Sequence, residues 1–176
     1  MNDPLSILRA DHREAKGLLE KLADTDEGAM RERLVAELEA ALTLHMSIEE
    51  QLLYPLVAEH VGEDDEHEAE VEHGLARDGL AKLVAMVAEP GFGAAVEMLK
   101  AGIGHHVKEE ESELLPELKA AVGREQWLAL GDAIAQAKAD AGAPLTRAAA
   151  RTTKPSAGTR RSKSSAKRSA PARSAR

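Results

Sequence analysis

Leu44-His45-Met46-Ser47-Ile48-Glu49-Glu50-Gln51-Leu52-Leu53-Tyr54-Pro55 is answered, 61 residues on, by His105-His106-Val107-Lys108-Glu109-Glu110-Glu111-Ser112-Glu113-Leu114-Leu115-Pro116. Sliding the whole chain by the same 61 residues places His12 on His73, Leu19 on Leu80, Leu22 on Leu83, Val35 on Val96 and Leu38 on Leu99. The chain is therefore a doubled unit, and each copy contributes two histidines and a glutamate four residues after the second of them.

Periodicity puts those residues on helices. Asp3 is an N-cap with Pro4 at the first helical position, and Leu5, Leu8, His12, Ala15, Leu19 and Leu22 form one buried stripe behind it. After the break at residues 24–28 a longer helix carries Leu34, Leu38, Ala41, His45, Glu49, Leu52 and Leu56. Residues 61–65 form the next break. A third helix then presents His73, Ala76, Leu80, Leu83 and Val87 up to Pro90-Gly91, and a fourth presents Val96, Leu99, Ile103, His106, Glu110 and Glu113/Leu114. A shorter fifth helix, from about Arg124 to Ala139, offers Trp127, Leu130 and Ile134. Four long helices with short connections imply an all-α protein, an antiparallel up-down four-helix bundle with a short fifth helix.

The midpoints between successive histidines, near Gly28, near Val61 and near Pro90, all fall at those breaks. Each hairpin returns the chain to the level it left, because both arms rise about 1.5 Å per residue. Four imidazoles then meet in the core, joined by Glu49 and Glu110 from the same faces. Unpaired, such a layer is costly, since ionised carboxylates lose their hydration. A metal removes that cost. Four nitrogens and two carboxylates able to bridge suit two octahedral irons, with manganese second, better than tetrahedral zinc, and an oxo or hydroxo bridge still leaves an open position.

Composition narrows the alternatives. There is no cysteine, which excludes disulfides, thiolate zinc, cysteine-ligated iron–sulfur clusters and cysteine nucleophiles. Aromatic residues are 2% of the chain, too few for a β sandwich. The acidic N-terminus lacks a basic-then-apolar leader pattern, so a soluble cytoplasmic protein with no membrane partner is expected. Ten of the 23 Lys and Arg lie in residues 147–176, which hold no acid. The first 146 residues thus carry 13 bases against 31 acids, a balance of −18, and the last thirty +10. Residues 1–141 are expected to be the folded domain and residues 142–176 a disordered basic tail, with nothing apolar to bury after Leu145. Lysine and arginine without aromatics would touch nucleic-acid phosphates nonspecifically and in a salt-sensitive way.

Taken together, His12, His45 to Glu50 with Pro55, His73, and His106 to Glu111 with Pro116 resemble the hemerythrin-like, or HHE cation-binding, family over roughly residues 5 to 118. The resemblance implies a non-haem di-iron centre that binds oxygen, senses or detoxifies oxidants and nitric oxide, or handles iron, with His12, His45, Glu49, His73, His106 and Glu110 as ligands. Oxygen-carrying members have a second histidine one turn after the first on the third helix, where this chain has Arg77, and an aspartate on the last helix, where it has Glu110 and Glu111. Those departures favour redox turnover over carriage. The function expected is a di-iron protein reacting with dioxygen, hydrogen peroxide or nitric oxide under oxidative or nitrosative stress. The alternatives are a catalase-like peroxide-dismutating enzyme and a DNA-associated metal-holding module. His60, His67 and His105 are expected at the surface, Glu50 and Glu111 on a solvated face, and Tyr54 as packing at the bundle end. Glu70-x-x-His73 lacks the mate that a ferritin-type site requires.

Overall fold

The computed structural model describes residues 2–143, and the basic segment expected to be disordered lies outside the described residues from 144 onward. Six α-helices carry the described residues: α1 (Pro4–Ala23), α2 (Ala29–Ile48), α3 (Tyr54–His60), α4 (Glu63–Ala85), α5 (Phe92–Glu109) and α6 (Leu115–Asp140). No strand occurs among the described residues, and no helix there is long and apolar enough to cross a membrane. Asp3 caps α1 as expected, its carboxylate accepting from Ser6 N at 3.0 Å. It also accepts from Trp127 Nε1 at 2.8 Å, which ties α6 to the start of α1. Gly131 permits that approach, because a Cβ there would overlap the Asn2 carbonyl.

Contacts close a ring: α1 packs on α2, α2 on α4, α4 on α5 and α5 on α1, while α6 lies against α1 and α3. Two apolar clusters fill the ring. One holds Leu19, Leu38, Leu83 and Val96; the other holds Leu8, Leu53, Val57, Leu115 and Ile134. The chain passes between them once per long helix. Leu8 and Leu19 mark the passage on α1, Leu38 and Ile48 on α2, Ala69 and Leu80 on α4, and Val96 and then Leu115 beyond α5. Between the clusters lies a polar layer.

Three features differ from the sequence expectation. Glu63-Asp64-Asp65, assigned to a break, begins α4, where acids favour the positive end of the helix. Glu49–Leu53 and Glu110–Leu114 are π-helical turns. Each takes in one extra residue and so rotates the succeeding helix about its axis. Leu53, Tyr54 and Val57 are therefore the fully buried side chains in place of Leu52 and Leu56, and Leu115 and Leu118 in place of Glu113 and Leu114. Pro55 and Pro116 each sit two residues past those turns, where a proline ring crowds the carbonyl four residues back and a widened turn relieves it. The third difference is that the fifth helix is the second half of a longer α6, set off by Gly123 at φ 73°, a left-handed conformation that glycine adopts without steric cost.

Candidate metal centre

The buried polar side chains among the described residues are Asp11, His12, His45, Glu49, His73, His106, Glu110 and Lys138. All of them belong to the layer between the two apolar clusters. His12 comes from α1, His45 from α2, His73 from α4 and His106 from α5, with Glu49 and Glu110 opening the two π turns. Each glutamate faces inward because it stands one α-helical turn after its histidine, and the π turn that follows it shifts the register so that the succeeding chain re-enters the apolar core.

The donor atoms fall into two overlapping groups, each with atoms within 4.8 Å of one another: His12, His45, Glu49 and Glu110, and Glu49, His73 and His106. Glu49 is common to both. Its Oε2 lies 3.2 Å from His45 Nε2 and 3.2 Å from His73 Nε2. His12 Nε2 lies 3.2 Å from His45 Nε2 and 3.1 Å from Glu110 Oε2. The structure thus brings together all six residues singled out in the sequence. Both carboxylate oxygens of Glu49, both of Glu110, Nδ1 of His45 and Nε2 of His106 are buried without a hydrogen-bond partner. Six such atoms in one buried layer suit a cation, since hard oxygens and imidazole nitrogens converge there.

The opposite edge of three of the rings is held from outside. His12 Nδ1 lies 2.8 Å from Glu111, His73 Nδ1 2.9 Å from Glu50, and His106 Nδ1 2.8 Å from Glu72, while Asp11 stands 3.8 Å from His45 Nδ1. A ring N–H donating to a carboxylate selects the tautomer and turns Nε2 inward. These four acids obey the 61-residue repeat, Asp11 falling on Glu72 and Glu50 on Glu111. Glu50 and Glu111 are partly buried partners rather than a solvated face. The signal for them was present in the sequence, one residue before each leading histidine and one after each glutamate.

The two halves are not identical. Lys138 of α6 places its ammonium 2.7 Å from both Asp11 oxygens. Arg77, in the place of a carrier's extra histidine, donates to Glu50 at 2.6 Å. Arg9 holds Glu111 at 2.8 Å. Tyr54 packs in the apolar cluster as expected, and its hydroxyl also lies within hydrogen-bond distance of His73 Nε2, at 2.9 Å, where the repeat has Leu115. His67 and His105 are exposed, His60 is half-buried away from the layer, and Glu70 is exposed.

Burial, and then the facing Glu110, push the Glu49 carboxyl well above the usual range, so it holds a proton more tightly. Burial would raise Glu110 too, but its pairing with His12 and the other imidazoles outweighs that and holds it low. Burial, aided by His106 and His45, lowers His73 to about 4 and keeps it neutral, as a ligand must be. For Asp11, burial is outweighed by the neighbouring His45 ring and the Lys138 ammonium, and the carboxyl lies below its ordinary value.

A helical bundle with one buried layer of histidines and carboxylates defines a metal-binding protein. The family model described as the hemerythrin HHE cation binding domain matches residues 3–118, and the chain belongs to that family. A curated relative, a DNA nickase of Nostoc sp. (strain PCC 7120), is 27% identical over 121 residues, which cover 68% of this chain and 34% of the relative. The chain thus spans about a third of that relative's length. No solved structure matches.

Proposed function

We propose that His12, His45, Glu49, His73, His106 and Glu110 hold two iron ions and that the protein reacts with small oxidants, dioxygen, hydrogen peroxide or nitric oxide, in the cytoplasm. The observation that carries this reading is the sharing of Glu49 between two donor groups, since a carboxylate common to both is what a two-metal site requires. When bound, the metal pair supplies electrons to, or accepts them from, a small oxygen or nitrogen species. The chain's own part is to orient His12, His73 and His106 through Glu111, Glu50 and Glu72 and to seat the buried Glu49 and Glu110 carboxylates between the two apolar clusters. The fold we read is an up-down bundle of residues 1–141, supported by the alternating order in which α1, α2, α4 and α5 visit the two clusters.

Turnover rather than carriage is supported by Arg77, whose guanidinium is committed to Glu50 and which adds no fifth imidazole. Metal analysis is expected to find about two irons per chain, with near-ultraviolet absorption that zinc lacks. His12→Ala, His45→Ala, His73→Ala and His106→Ala each lower the iron content, whereas His60→Ala and His105→Ala do not. Equal iron in all six variants rejects the ligand set. The loaded protein is expected to release oxygen from added hydrogen peroxide and His45→Ala to lose that activity. Reversible oxygen uptake under vacuum cycling, with no oxygen release from peroxide, returns the protein to the carrier class.

A further inference from the structure

Next to the histidine layer, on the side of Leu38 and Leu83, the four long helices each present a small residue: Ala15, Ala41, Ala76 and Gly102. They are repeat mates, three residues after a leading histidine or four before a second one. On the other side the corresponding positions are Leu8, Glu49, Ala69 and Glu110, and that side is packed. The small side chains leave a hollow that opens into a cavity of about 1090 Å³ reaching all four histidines. A water occupies about 30 Å³ of liquid, and pockets for organic ligands run to about 300–1,000 Å³. Dioxygen, peroxide or nitric oxide alone leaves this space almost empty.

The lining says what fills it. Its predominant surface is aliphatic, from Leu, Ala, Met and Gly, and no Phe, Tyr or Trp contributes, so no aromatic face is offered to a planar ring. The lining also carries Asp11 and Glu72 beside the histidines and Glu14 and Glu37 on α1 and α2, whereas the repeat mates of the last two, on α4 and α5, are Leu75 and Met98, which are 67% and 78% exposed. Large apolar side chains left in water beside a cavity mark a surface for an apolar ligand. Lys82, also in the lining and exposed, has no ion pair among the described residues. It stands nine residues, about 13.5 Å of helix, from His73.

We propose that this cavity binds a long-chain fatty acid, its carboxylate on Lys82 and its chain running past Leu75 and Met98 into the Ala15/Ala41/Ala76/Gly102 hollow beside the histidines. The inference goes beyond the oxidant reading and does not require iron in the layer.

Titration calorimetry of the full chain, metal-free and iron-loaded, with dodecanoate, dodecanol and hexanoate tests it. About one dodecanoate is expected to bind per chain in both forms, and hexanoate at least about tenfold more weakly, because each lost methylene removes apolar burial. Gly102→Leu fills the hollow and is expected to weaken dodecanoate by about tenfold or more at unchanged helicity and iron content. Should Gly102→Leu not fold, Lys82→Glu, a surface change, is expected to weaken dodecanoate more than dodecanol. No saturable dodecanoate binding by the full chain, or equal affinity in Gly102→Leu and the parent, or no selective effect of Lys82→Glu, overturns the proposal. Iron content measured on the same samples separates this outcome from the ligand reading, which stands or falls on the histidine variants.

Discussion

Glu49 and Glu110 face one another in the buried layer, where burial and the facing Glu110 raise the Glu49 carboxyl well above its usual range while pairing with His12 holds Glu110 low, so of the two Glu49 holds a proton more tightly. A metal needs both as carboxylates. Loading the metal-free protein in weakly buffered solution is therefore expected to release protons, and more of them as the starting pH falls. Glu49 sets the sign: its raised pKa means the metal-free fold binds the proton, and occupation of the site expels it. For the same reason iron is lost as pH decreases. Proton-neutral loading, read with a pH indicator, contradicts a protonated Glu49. The six donors were legible in the sequence because a 61-residue repeat made them coincide twice. Tyr54 was not, since its mate Leu115 carries no hydroxyl and only the folded chain brings it to His73.

Among the elements, α6 is the one whose role the periodic pattern understated. Its stripe of Trp127, Leu130 and Ile134 indicated packing, and they are buried as expected. Lys138 reads in sequence as one more surface lysine, because its partner Asp11 is 127 residues away and no local spacing links them. Replacing Lys138 with Met leaves Asp11 buried and unpaired, and is expected to destabilise the protein by about 3–5 kcal/mol in urea unfolding. Lys138→Met combined with Asp11→Asn is expected to recover much of that loss, whereas an equal loss in the double variant shows that the lysine acts through packing alone. The two π turns were missed for a related reason. Apolar periodicity assumes one helical pitch throughout, and Leu52 and Leu56 fit that pitch better than Leu53 and Val57 do. Pro55 and Pro116, repeated at the same distance after each glutamate, were the available sign that the pitch changes.

At the scale of the whole molecule, the polar layer and both clusters lie within residues 2–143, while the charge of the chain is divided between a −18 body and a +10 end. Removing residues 147–176 is expected to leave iron content and helicity unchanged. Any DNA binding by the full chain should disappear with that segment and, before its removal, weaken steeply as salt rises, since phosphate contacts release counterions. Filter binding over a salt series checks both, and a full chain without affinity even in low salt removes the DNA-associated reading. The halves of the body are joined reciprocally. His12 of the first half leans on Glu111 of the second, His73 of the second on Glu50 of the first, and each donor group includes a glutamate from the opposite half. In terms of ancestry, a single helical hairpin pairing with a copy of itself would already possess the complete set, and fusion of the two copies would free each to diverge. Tyr54 opposite Leu115, Leu75 opposite Glu14 and Arg77 opposite Lys16 are such divergences. They turn a symmetric metal clasp into one with two unlike sides.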